Sequence, residues 1–205
     1  MATAKNLRWL AKTIKDEEAA VHFLRQKGLL HSERLCPFCG QAMRLVRGGM
    51  VWRCIKRSCR REVSVRRGTW FEAPRHKMKL QTAVEMMFLW SRKYHSMSVC
   101  KDELGLDENV TIRWSRYLRQ VAAEALAKPR SPLGGPGMTV ELFLVQVPLP
   151  LVPHYFEYMW RKYLGDCDDA FDAILRDIHR LHPPQENPPR VIQRRMVAPP
   201  AALPQ

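Results

Sequence analysis

The chain has 205 residues, room for one or two small domains, and its 46% hydrophobic content is enough for a core. Its 34 Lys and Arg outnumber 20 Asp and Glu, for a formal net charge of +14, which points to a polyanionic partner. No apolar run approaches the ~20 residues of a membrane-spanning helix, and Met1–Lys15 holds no uninterrupted apolar stretch of the kind that heads a secreted chain, so neither a membrane nor a secreted protein is expected.

The charge is uneven. Residues 1–130 carry 27 basic and 12 acidic residues, whereas residues 131–205 carry 7 and 8. The N-terminal two-thirds is therefore the part that faces a polyanion. Within it, residues 1–32 read as an N-terminal arm and a helix. Residues 1–15 are mixed and basic, with Trp9 and Leu10 the only large apolar pair, and are expected to form a loose arm or a short helix. Asp16-Glu17-Glu18 suits the positive end of a helix. Ala20, Val21, Phe23 and Leu24 follow at helical spacing, and Gly28 is the predicted stop.

Residues 33–72 hold the most specific signal. Cys36 and Cys39 are separated by two residues, Cys54 and Cys59 by four, and the pairs by fourteen. Two thiolates from one tight turn and two from another can surround one cation as a tetrahedron, the spacing logic of a closed structural Zn²⁺ site. In a chain without a secretory signal, metal is favoured over disulfides. Met43–Val46 and Met50–Arg53 read as strands around a Gly48-Gly49 hairpin turn, and Glu62–Val65 as a third, which makes the segment a zinc ribbon. Its solvent side carries Arg44, Arg47, Arg53, Lys56, Arg57, Arg60, Arg61, Arg66 and Arg67 against the single acid Glu62. A merely soluble ribbon does not need so lopsided a surface, and phosphate contact is the reading preferred.

Residues 78–127 read as helical. Leu80–Trp90 is apolar on most sides, as in a helix buried between other elements, with its methionines as core filler. Ser96 or Ser98 caps a short helix, Gly105-Leu106 makes a sharp turn, and Asp107 caps a longer helix. On that longer helix Val110, Trp114, Tyr117, Leu118, Val121 and Ala125 form one stripe. This is a helix-turn-helix pattern, with Cys100 as a core residue. The opposite face presents Asn109, Ile112, Arg116 and Arg119, with Arg113 on its flank. Asn and Arg are suited to purine edges and phosphates of double-stranded DNA. The competing reading is an ordinary helical hairpin with a solvated basic face.

Residues 128–138 read as a linker by composition. Thr139–Val147 reads as a β-type run and Tyr155–Leu164 as an aromatic helix. In the segment 166–182, Phe171, Ile174, Leu175, Ile178 and Leu181 share one face of an amphipathic helix. Its Asp166, Asp168, Asp169 and Asp172 read as a charged first turn and not as a cation site, because a binding-loop Gly and a distal Glu are missing. Residues 183–205 are rich in Pro and read as a disordered tail. Cys167 is isolated.

In that order, Glu17-Glu18-Ala19, the knuckle Cys36-Pro37-Phe38-Cys39-Gly40, Trp52-Arg53-Cys54, Gly68-Thr69-Trp70-Phe71 and the helix-turn-helix pattern resemble the N-terminal half of Merlin-type transposases. These are eukaryotic relatives of a bacterial insertion-sequence family with an N-terminal zinc ribbon. The resemblance covers about residues 16–130. It implies a nuclear DNA-binding protein, and beyond the linker a catalytic domain of the RNase H type. There, Thr139-Val140-Glu141 is similar to the start of that domain's first strand, Leu142–Val145 to a later one, and Phe156–Arg161 to its terminal helix. The family's strand carries a metal-binding Asp, but no Asp follows Glu141, and the long middle of the domain is absent. Strand transfer needs carboxylates from separate elements around two cations. Only Glu141 and Glu157 lie in the matching fragments, and neither matches a catalytic position.

The expected protein is thus α+β: a small zinc ribbon packed with helices, a helix-turn-helix, and a short incomplete RNase H-like remnant (residues 139–165) with a disordered tail. It binds one structural Zn²⁺ and duplex DNA and is not an enzyme. The alternatives are a protein-interaction module that recruits partners through residues 166–205, a residually active transposase, and a splice product without a stable C-terminal fold.

Overall fold

The structure, a computed structural model, describes residues 5–72, 78–127, 152–165 and 169–186. It is α+β, with helices α1 (Leu7–Thr13), α2 (Glu17–Gln26), α3 (Leu80–Ser91), α4 (Met97–Leu104), α5 (Glu108–Ala127), α6 (Val152–Leu164) and α7 (Ala170–Leu181). A three-stranded antiparallel sheet of β1 (Met43–Val46), β2 (Val51–Cys54) and β3 (Glu62–Ser64) lies between α2 and α3 in the sequence.

From Lys5 on, the N-terminal arm takes the form of a short helix, α1. Asn6 accepts the Trp9 N–H and caps α1, and Asp16 accepts the Ala19 N–H and caps α2. Lys27 ends α2, and Gly28, at φ +71°, lets the Leu29 N–H reach the Leu24 carbonyl. Lys79 gives α3 no side-chain cap. Glu17 supplies it from α2 instead, its carboxylate accepting the backbone N–H groups of Leu80 and Gln81, each at 2.8 Å. An anion at a helix N-terminus satisfies orphan donors and complements the dipole. Arg66, just after β3, donates to the Met78 carbonyl and lies 3.8 Å from Glu17. One carboxylate thus joins α2, α3 and the edge of the sheet.

In the sheet, Trp52 is flanked by Leu45 and Val63 on one face, and Arg53 by Arg44 and Glu62 on the other. Trp52 is buried. α2 lies close to the hairpin: a Cβ at Gly49 would stand 3.2 Å from Val21 Cγ1. At the other end Trp70 meets Trp114 of α5 edge-on, with ring centroids 5.7 Å apart.

The core continues into the C-terminal helices. Phe171 of α7 is fully buried. It stacks parallel on Phe23 at 6.1 Å and meets Trp9 and Phe88 edge-on at 6.1 and 5.2 Å. Ile174, Leu175 and Ile178 are buried beside it. Asp169 caps α7 through the Phe171 N–H, and Asp172 pairs with Lys5 and Lys27, so both serve as first-turn acids. The apolar stripe of α7 therefore belongs to this core and is not a free face offered to a partner. The core thus includes residues well beyond 130, because α7 closes the aromatic cluster.

α6 lies along α5. Trp160 is buried and donates from Nε1 to Asp177 of α7 at 2.9 Å. Arg161 lies over the Trp90 ring at 4.5 Å and donates to the Trp90 and Ser91 carbonyls at 2.8 Å, closing the C-terminus of α3. Glu157 holds Arg119 of α5 at 2.9 Å and Arg161 at 2.8 Å. The linker 128–138, the β-type run 139–147 with Glu141, Asp166, Cys167, Asp168 and the tail from 187 lie outside the described residues.

Two tests follow from this packing. Phe171→Ala removes the centre of the cluster and should lower unfolding free energy by about 3–5 kcal/mol, read from the urea midpoint; a loss below about 1 kcal/mol would place α7 outside the core. Burial raises the Glu157 pKa, but the hydrogen bonds and charges of Arg161 and Arg119 outweigh it and the pKa is lowered. A lowered carboxyl pKa contributes stability above its unfolded value of about 4.5, and that contribution is lost as pH falls through the folded value. Glu157→Gln should therefore lose less stability than the parent chain between about pH 5 and pH 3, measured by urea midpoints at both.

Candidate metal centre and basic surface

Each cysteine pair sits on a tight backbone turn. In the first, the Cys36 N–H donates to Gln41 O and the Gly40 N–H to Cys36 O, both at 2.8 Å. Gly40 has φ +71°, and a Cβ there would meet nothing within 4 Å, so the glycine serves backbone conformation and not clearance. In the second, the Cys59 and Arg60 N–H groups both donate to Lys56 O at 3.0 Å, and Arg60 takes the left-handed φ of +41°. Both turns thus place a left-handed residue directly after their second cysteine. The bridge between Leu35 and Ala42 and the bond from Ile55 N–H to Ala42 O lay the two turns side by side.

All four sulfurs lie within 4.8 Å of one another, with Cys36–Cys59 at 3.8 Å and Cys39–Cys54 at 3.4 Å. A tetrahedron with Zn–S bonds of about 2.3 Å has edges of about 3.8 Å, whereas a disulfide needs about 2.05 Å. The donor set fits one tetrahedral cation of the zinc type. Cys36 and Cys54 are buried, and Cys39 and Cys59 half-buried.

The thiols have unequal acidities. The backbone N–H of Gln41 favours the Cys39 thiolate and brings its pKa down to about 7. Burial pushes Cys54 up to about 12, although the Lys56 N–H opposes it. The Arg61 N–H favours the Cys59 thiolate, yet burial and the neighbouring sulfurs leave its pKa raised. Four sulfurs this close cannot all be ionised without an offsetting cation, while the three N–H groups already favour the anionic forms. The site is therefore arranged to hold a metal ion.

The expected nucleic-acid residues fall into four groups. Lys56, Arg57, Arg60, Asn109 and Arg116 are exposed, and among the described residues no acid pairs with these four cations. Arg53, Arg61 and Arg67 are partly engaged. Arg53 pairs with Glu62 at 2.6 Å, Arg67 with Glu72 at 2.9 Å, and Arg61 lies 4.8 Å from the centre of the Phe38 ring. Arg66 and Arg119 depart from the expected solvent faces: their side chains are 16% and 15% exposed and pair with Glu17 and Glu157. Ile112 and Arg113 are half-buried. For the residues on α5, the reason is that this helix is covered on two sides. Thr111, Ser115 and Ala122 are buried beside the expected stripe, and α6 supplies Glu157 to the face that carries Arg119.

Sequence reading passed over Phe38, which is more than half exposed. The signal was present, since the two residues inside a Cys-x2-Cys turn point away from the ion when the cysteines point toward it. Comparison with protein-family models, with curated proteins and with solved structures finds no match for this chain.

The metal centre makes a direct prediction. Protein purified with zinc should contain close to one metal per chain by elemental analysis. Cys39→Ser or Cys54→Ser should lose most of it and shift the thermal midpoint downward, because binding energy at such a site is folding energy. Full metal retention in both variants would count against a four-sulfur site.

Proposed function

We propose that this chain is a zinc-stabilised protein that binds double-stranded DNA, derived from a Merlin-type transposase and acting in the nucleus without cutting or joining strands. The observation that carries the reading is the run Lys56, Arg57, Arg60 and Arg61. All four are exposed on the second cysteine turn, and a turn held by a metal fixes their spacing. In this reading β1–β3 and the turns form a zinc ribbon. Cys36, Cys39, Cys54 and Cys59 hold the ion, whose role is to fold the ribbon, since four sulfurs leave no position for water. The α4–α5 pair acts as a helix-turn-helix. Ser96 caps α4, Gly105 turns at φ +63°, and Asp107 accepts the Asn109 N–H at the start of α5. Asn109 and Arg116 then face the major groove while the ribbon's cations hold phosphates.

Absence of strand chemistry is part of the proposal. Glu157, one of the two acids in the transposase-like fragments, is engaged by two guanidiniums and closes α3, α5 and α6 together. That supports a structural role. A second reading, a protein-interaction module, rests on a different feature. Leu7, Leu10, Leu89, Tyr94, Val99 and Leu104 line a groove of about 740 Å³ among α1, α3 and α4.

Titration of labelled duplex DNA at several salt concentrations tests the first reading. Neutralising Lys56, Arg57 and Arg60 together should make log K less steep in log salt, by about 0.9 for each phosphate that is no longer neutralised. Arg116→Ala should weaken binding to a selected site by about 1–3 kcal/mol and relax its sequence preference. A chain that carries its metal but shows no salt-dependent affinity for duplex DNA would overturn the reading.

A further inference from the structure

The metal turns carry a surface that phosphate binding alone does not require. Leu35, Phe38 and Ile55 are 54%, 55% and 54% exposed. They belong to one patch, because Leu35 bridges Ala42 and Ile55 bonds the carbonyl of that same Ala42, while Phe38 tops the adjoining turn. The groove beside it is lined by Leu35, Pro37 and Phe38. Three large apolar side chains left in water at one tip are a sign of an interaction site.

The rim identifies the occupant. Arg61 lies against Phe38, and Lys56, Arg57 and Arg60 are exposed on the same adjoining turn, with no acid between Cys54 and Arg61; Glu186 is the one acid lining the groove on the Leu35 and Phe38 side. The ligand must therefore offer flat apolar surface together with repeated negative charge. Arg61 already lies over the Phe38 ring at 4.8 Å. A guanidinium on one face and half the ring in water leave the other face open for a planar partner. Nucleobases on a phosphate backbone meet each of these conditions. Inside an intact duplex, however, base faces are stacked on one another and cannot reach a protruding ring. The ring gains a partner only where bases are unpaired.

We propose that the tip formed by Phe38, Leu35 and Ile55, with the Arg61 guanidinium behind the ring, stacks unpaired bases, so that the protein prefers single strands and splayed duplex ends over intact duplex. This rests on the nucleic-acid reading above and adds a structural preference to it. The basic turn holds the backbone, and Phe38 holds a base beside it. Helix α5 takes no part in this contact.

The test compares three labelled probes in anisotropy titrations with the full chain: an oligothymidine single strand, a blunt duplex, and the same duplex with a splayed end. The parent protein should bind the first and third more tightly than the second. Phe38→Ala should weaken binding to those two by about 10-fold, as expected for loss of one base stack. It should leave the blunt duplex and the metal content unchanged, and Phe38→Trp should restore the preference. Equal affinity of the parent for all three probes would overturn the proposal while leaving duplex binding intact. A uniform loss on all probes in Phe38→Ala would also overturn it, as would Phe38-dependent capture of an acidic amphipathic peptide without stacking-dependent DNA binding. Failure of the parent to bind any probe would remove the nucleic-acid reading together with this one.

Discussion

Four cysteine sulfurs gathered within 4.8 Å are the constraint on which this structure turns. Strands of three and four residues form too small a sheet to stand alone in water. A cation held by both turns would remove that difficulty and make the sheet a rigid platform. Its hairpin meets Val21 of α2, and its far edge sends Arg66 to Glu17 and Met78. Glu17 in turn caps α3, most of whose residues are buried. Geometry at the sulfurs is thereby passed to the helical core through a few directional contacts.

The helical core has its own centre, where Trp9, Phe23, Phe88 and Phe171 meet from four separate helices. Edge-on and offset ring contacts of this kind add to the stabilisation from burial alone. Polar closures surround it. Asp172 holds Lys5 and Lys27, Asp169 holds Arg92, and Asp177 accepts the Trp160 indole N–H. The acidic character of α7 thus answers basic groups of the N-terminal helices and of α3. Local charge balance was struck at these contacts, whereas Lys56, Arg57 and Arg60 on the second cysteine turn have no acidic partner among the described residues.

That separation explains why some arginines are structural and others are available. Arg66, Arg119 and Arg161 lie where helices end or cross, and each meets a carboxylate or carbonyl. Lys56, Arg57 and Arg60 lie on a turn whose backbone is already satisfied by its own N–H bonds, so nothing in the fold draws them inward. The same turn geometry leaves Phe38 and Ile55 outside. The cysteines must face the ion, and their neighbours must therefore face water.

The sequence by itself determined the local features. Cysteine spacing specified the four-sulfur site, Gly48-Gly49 the hairpin, Asp16-Glu17-Glu18 and Ser96 or Ser98 the helix starts, and the mostly apolar run at 80–90 the central helix. Each of these depends on residues close in the chain, and periodicity and capping are local physics. Only the tertiary structure decided the rest. Whether Arg119 faces water or Glu157, whether α7 is a free amphipathic helix or the wall behind Phe23, and which side of α5 remains open depend on residues 38 or more positions away. An amphipathic stripe specifies that a face must be covered, but its partner is selected by how all the covered faces close together.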